Sequence, residues 1–230
     1  MNWVWLYPDH FFWETSASRG KAASPPRLSS FAGTTRSASA VLRYDKVPYY
    51  VPMENRATAN TEPKTAELFL EFSRKKLLEQ YWPRLRGAVE SLSDEQLWWR
   101  PNDASNSIGN LMLHLNGNVW QWMVASFNRM EDARNRPAEF DARDSVSVGL
   151  LLERLGGTMQ EAGNVLARLT SDDLTATYRI QGYTVSGLDV VYQVVEHFGL
   201  HYGQIIYITK ALVGKDLGFY RELGKTGRAS

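Results

Sequence analysis

Residues 188–212, LDVVYQVVEHFGLHYGQIIYITKAL, make a mostly apolar run that nevertheless carries His197 and His201. The pattern predicts one helix from about Leu188 to Leu212, ending before Gly214, a usual helix-terminating residue. Positions four apart lie about 40° apart on a helix, one turn up the same face. Val190, Val194, Ile205 and Ile208 share that sector, so both imidazoles are expected on the buried stripe, with Gln193 and Gln204 at its edge. A buried polar group without a partner costs about 1–3 kcal/mol. Each ring is therefore satisfied by a neighbour, or something such as a metal ion binds both.

Three further long helices are expected upstream. TEPKTAELFLEFSRKKLLEQYWPRLRGAVESL, residues 61–92, offers Thr61 as a cap and Pro63 in the first turn, where proline is tolerated. Leu68, Phe72, Leu78, Trp82, Leu85 and Val89 give this segment an apolar stripe, and Pro83 is expected to kink it. SDEQ, Ser93 to Gln96, reads as a capping box for a short turn. Ser107 then caps IGNLMLHLNGNVWQWMVASFNRM, and a polar loop rich in Arg and Asp runs from Glu131 to Asp144. The next helix, SVGLLLERLGGTMQEAGNVLARL, is rich in glycine, so it is either closely packed or locally irregular. YRIQGYTV, residues 178–185, reads as a small hairpin around Gln181-Gly182. Long helices with no substantial strand content predict an all-α fold, a four-helix bundle.

The chain has four histidines and no cysteine. Disulfides, thiolate metal sites and a cysteine nucleophile are thus excluded, and any metal site is built from His, Asp, Glu and water. His10 lies far upstream, leaving His114, His197 and His201 for the bundle. His114 flanks a stripe of Leu111, Leu115, Val119 and Trp122, with Asn118 one turn on. If the second and fourth long helices are neighbours, the three imidazoles converge. Three neutral nitrogens with an open position suit a catalytic metal site better than a closed structural one. Asn118 and Gln204 could orient ligands or waters around it, or make ordinary helix–helix hydrogen bonds. Glu196 lies about 100° of rotation away from His197, off the metal side.

Charge excludes other classes. Lys plus Arg, 26, almost balance Asp plus Glu, 25, over 230 residues. Neither a nucleic-acid partner nor a membrane-surface role is expected from that balance. No run of about 18 apolar residues predicts a membrane span.

Residues 1–60 read differently. They show no sustained period, and residues 1–52 hold six basic residues against three acidic ones. Met1 to Trp13 lacks the basic start of a secretory signal, whereas Thr15 to Arg43 partly satisfies a transit-peptide composition. The favoured reading makes Met53 the natural start and the preceding residues upstream sequence. The expected organisation is a poorly ordered extension over 1–60, a bundle over 61–222 and a tail over 223–230.

SIGNLMLHLNGNVWQW, followed much later by VVEHFGLHYGQI, resembles the DinB/YfiT-like superfamily of bacterial four-helix bundles. LWWRPNDASNSIGNL, IQGY and GKDLGFY add to the likeness, which covers Glu67 to Tyr220 and is strongest to an uncharacterised branch. The resemblance implies that His114, His197 and His201 bind a divalent metal ion, nickel, zinc or iron. It also implies relatives that are metal-dependent transferases or isomerases using low-molecular-weight thiols such as bacillithiol or mycothiol. A cysteine-free chain would take its sulfur from such a cosubstrate. The resulting expectation is a cytoplasmic metal-dependent enzyme, a thiol transferase acting on electrophilic small molecules. Its alternative is a non-catalytic metal-binding module serving a stress response or an interaction, and a weaker third is a metal-free dimerisation module. A homodimer is expected, with one of Trp120 and Trp122 in the core and the other on the dimer face. Trp98, Trp99 and Arg100 either roof a substrate pocket or supply core packing and a capped loop.

Overall fold

A computed structural model describes residues 65–144 and 146–221. The expected extension, the Met53 start, the Thr61 cap, Pro63 and the tail over 223–230 lie outside the described residues.

The protein is mostly helical, with the long segments where the periodicity predicts them. The first, residues 65–89, joins α1 (Thr65–Arg74) to α2 (Trp82–Val89) through a π-helical stretch, Lys75–Tyr81. The second, residues 108–128, joins α4 (Ile108–Val119) to α5 (Ser126–Asn128) through another π stretch, Trp120–Ala125. The third is α7 (Val148–Leu166) and the fourth α9 (Gly187–Val213). Three short helices stand between them: α3 (Asp94–Trp98), α6 (Arg136–Asp141) and α8 (Ser171–Thr175). A hairpin with a two-residue loop, β1 (Thr177–Ile180) and β2 (Tyr183–Ser186), pairs Thr177 with Ser186 and Ile180 with Tyr183.

Local chemistry sets these boundaries. Ser93, Ser107, Thr170 and Ser186 each open a helix with a complete capping box, which satisfies N–H groups the first turn leaves without partners. α9 closes at Gly214, whose φ of 62° is the left-handed geometry that glycine adopts at little cost.

One expectation for the first long segment, which side chains form its inward stripe, needs correction. Pro83 falls in the first turn of α2, directly after the π stretch, where Trp82 N–H bonds to Leu77 O five residues back. Helical structure therefore continues through Pro83, with the wide turns directly before it. Those turns also alter which side chains face inward. Leu68 and Phe72 are exposed, whereas Leu70, Ser73 and Leu77 are buried. Leu85 and Val89 lie in the core as expected.

The core runs through all four long segments and includes Leu77, Leu85, Met112, Leu115, Leu155, Met159, Val194 and Phe198. Full burial of each such side chain contributes about 1.5–3 kcal/mol. Two of the glycines of α7 serve close packing: a Cβ on Gly163 would stand 2.8 Å from Leu78, and one on Gly156 would stand 3.2 Å from Trp82. α4 occupies the middle of the site region, packed against α6, α7 and α9. No helix among the described residues is long and apolar enough to cross a membrane.

Candidate metal centre

His114 projects from the middle of α4, and His197 and His201 from successive turns of α9. Because those helices are packed together, the rings meet. The His114 and His197 centroids are 5.0 Å apart, His114 and His201 5.0 Å, and His197 and His201 4.5 Å. One nitrogen from each ring lies within 4.8 Å of the others. His114 and His197 are buried, and His201 is half-buried.

The ring orientations are set from behind. Nδ1 of His114 lies 2.9 Å from Oε2 of Glu139. A carboxylate only accepts, so His114 carries its proton on Nδ1 and turns the lone pair of Nε2 inward. That Nε2 faces Nε2 of His197 across 2.9 Å. Two nitrogens bound to one ion at about 2.0–2.1 Å each stand roughly 3 Å apart, which this separation matches. On the open side, Oε1 of Gln204 accepts from Nδ1 of His201 at 2.7 Å, leaving Nε2 of that ring for a ligand. The three donors thus fit a divalent metal ion.

Glu139 is itself held. Arg134 donates Nε to Oε1 at 2.7 Å and Nη2 to Oε2 at 2.8 Å, a two-pronged grip with both side chains buried. Nη2 also passes 3.1 Å from Nδ1 of His114, because both groups donate to the same carboxylate oxygen. Burial alone pushes the Glu139 carboxyl up, yet the hydrogen bonds from Arg134 and then His114 outweigh it and hold the carboxyl below its ordinary value. Burial pulls the His114 imidazole below its ordinary value, against the Glu139 hydrogen bond and with Arg134 adding to the lowering.

Gly117 makes room for this pair. A Cβ there would overlap Oε1 of Glu139 and stand 2.7 Å from Nε of Arg134. Asn110, fully buried at the start of α4, ties down the segment bearing Glu139: its Nδ2 donates to the carbonyls of Glu139 at 2.8 Å and Ala142 at 3.0 Å. Arg100 donates to Oδ1 of Asn110 and to the Ala142 carbonyl. Trp98 donates Nε1 to the Val146 carbonyl and packs on Gly109, while Trp99 is exposed. Trp98 and Arg100 thus supply packing and a capped loop.

Of the two expected orienting residues, Gln204 touches a site histidine, whereas Asn118 is buried beside the core with its Oδ1 unpartnered. Glu196 is outside the cluster. Trp122 is buried, and Trp120 is 36% exposed. Glu139 and Arg134 went unrecognised in the sequence because 131–144 read as loop. Asn135, Pro137 and Glu139 are nevertheless a helix-start pattern, and Asn135 does cap α6.

A helical bundle with three histidines converging from two of its long helices defines a class of candidate metal-site proteins. The chain belongs to the DinB superfamily, whose family model matches residues 77–205. Two solved structures share the fold. One is a conserved protein of Enterococcus faecalis, with 15% identity and a TM-score of 0.54 over 63% of this chain and 97% of that one. The other is a DinB-like protein of Bacillus cereus, with 15% identity and a TM-score of 0.50 over 65% of this chain and 93% of that one. No curated protein sequence matches the chain.

Proposed function

We propose that His114, His197 and His201 hold one divalent ion, nickel, zinc or iron, and that the protein is a metal-dependent enzyme. Its proposed reaction is transfer of a low-molecular-weight thiol to an electrophilic small molecule in the cytoplasm, where thiols stay reduced. The observation that carries the metal reading is the inward aim of the ring nitrogens, with Nδ1 of His114 and of His201 each engaged by a side chain behind it. Such an ion, when bound, lowers the pKa of a coordinated water or thiol toward neutrality.

The chain's own groups have distinct parts. Glu139 keeps the His114 proton on Nδ1, and Arg134 keeps Glu139 in place. His201, half-buried and bonded to exposed Gln204, marks the side from which a small molecule reaches the donors. The sulfur would come from the cosubstrate, since the chain has no cysteine.

One observation favours the alternative, a non-catalytic metal-binding module. Glu139 contacts the cluster through His114, and Arg134 and His114 already occupy both its oxygens. A free general base is therefore not supplied by it. The deciding experiment is elemental analysis of protein purified without a histidine tag, followed by turnover of a thiol with a model electrophile. Bound metal, with turnover lost in folded His201→Ala, supports the enzyme; bound metal with no turnover selects the alternative. Absence of metal, together with no thermal shift on adding nickel or zinc, overturns both.

A further inference from the structure

The β1–β2 turn contains a residue that its geometry does not favour. Gln181 and Gly182 are the two loop residues between paired Ile180 and Tyr183, and both have positive φ, 52° and 84°. Such a type I′ arrangement favours Asn, Asp or Gly at its first position. Short side chains there bond the local backbone, and glycine has no Cβ to clash. Glutamine has neither advantage, so a role for its side chain is the natural place to look for compensation.

That side chain reaches into the site. Nε2 of Gln181 donates to Oε1 of Gln121 at 2.7 Å. Gln121 is 5% exposed and lies in the π stretch Trp120–Ala125, which follows the helix bearing His114. The same Oε1 accepts from Nη1 of Arg134 at 2.8 Å, while Nε2 of Gln121 donates to Asp132. Arginine only donates, which fixes the orientation of the Gln121 amide. From Arg134 the chain of bonds continues through Glu139 to Nδ1 of His114.

We propose that Gln181 is a positioning residue for His114, acting through Gln121, Arg134 and Glu139. By holding the Gln121 oxygen against Nη1, it keeps the guanidinium in the plane that grips both Glu139 oxygens. The carboxylate then holds the His114 proton on Nδ1. Hairpin and ligand are thereby coupled across a sequence separation of 67 residues, the distance from position 114 to position 181.

The test uses Gln181→Gly and Gln181→Asn in the full chain, replacements that suit the turn but remove the reach. The expected result is an unchanged or higher Tm with zinc ion bound about threefold to tenfold more weakly. That loss is smaller than the roughly 10–100-fold cost of removing a group bonded directly to a ligand. In the metal-free protein, 15N shifts of the His114 ring should move from a single Nδ1–H form toward a mixture. Unchanged zinc affinity and unchanged His114 shifts overturn the proposal, whether or not Tm falls. The affinity measurement rests on the metal reading above, and the His114 shifts do not. A wild-type protein that binds neither zinc nor nickel would sink that reading, while the shifts still decide the role of Gln181.

Discussion

Arg134 and Glu139 face each other through two parallel N–H···O bonds of 2.7 and 2.8 Å, buried beside His114. Buried ion pairs seldom stabilise a fold more than an apolar replacement would, because both charges give up hydration. What this pair provides is orientation: it leaves one Glu139 oxygen able to hold Nδ1 of His114.

Removing one member should therefore cost more than the pair contributes. Arg134→Met leaves the Glu139 charge buried without its cation, and should lower stability by about 3–5 kcal/mol in denaturant unfolding. Glu139→Gln should weaken zinc binding roughly 10–100-fold, measured by competition with a chelating dye. Equal zinc affinity in the Gln variant would show that Glu139 does not orient the ligand.

Gly117→Ala isolates the space the pair needs. Alanine gains about 1 kcal/mol of helix propensity over glycine, yet its Cβ would overlap Glu139. The expected outcome is weaker zinc binding with no net gain in Tm. Exposed Gly157, with nothing within 4 Å of an added Cβ, is the control. Gly157→Ala should stabilise by about 0.4–1 kcal/mol and leave zinc binding unchanged.

Acid should destabilise the metal-free protein in two stages. The folded-state pKa of His114 is depressed, by burial first, so its contribution is present above its ordinary value of 6.5. That contribution is lost as pH falls from there through the folded value. Glu139 is also depressed, so its contribution is present above 4.5 and lost as pH falls through its own lowered value. Denaturant midpoints measured between about pH 8 and pH 4 should fall first below the histidine value and further below the carboxylate value. A flat profile in the upper part of that range would contradict the burial of His114.

Metal should stabilise by mass action. Free zinc at about 100 times its Kd should add about 2.7 kcal/mol. Chelator should reverse the shift in the wild type and have no effect on His197→Ala, followed by thermal unfolding.

Much of the fold is legible in local patterns. The Ser93 and Ser107 caps and the Gly214 stop are short-range chemistry and stand where the sequence puts them. The hairpin at Gln181-Gly182 is equally local. The inward stripe of the first long segment is less legible, because π turns at Lys75–Tyr81 depart from the 100° step on which the reading of Leu68 and Phe72 depends.

For the site, the sequence by itself determined that His197 and His201 share one helix face, since four residues make about one turn. It also determined that His114 lies beside an apolar stripe of another helix. Only the tertiary structure decided which nitrogen His114 presents. Glu139, Arg134, Gln121 and Gln181 come from α6, the segment before it, a π stretch and a hairpin turn. They meet because the chain folds α6 over α4 at Gly117, where there is no side chain to hold it off. Periodicity records neighbours within a helix; it carries no information about a carboxylate that arrives from another helix 25 residues away.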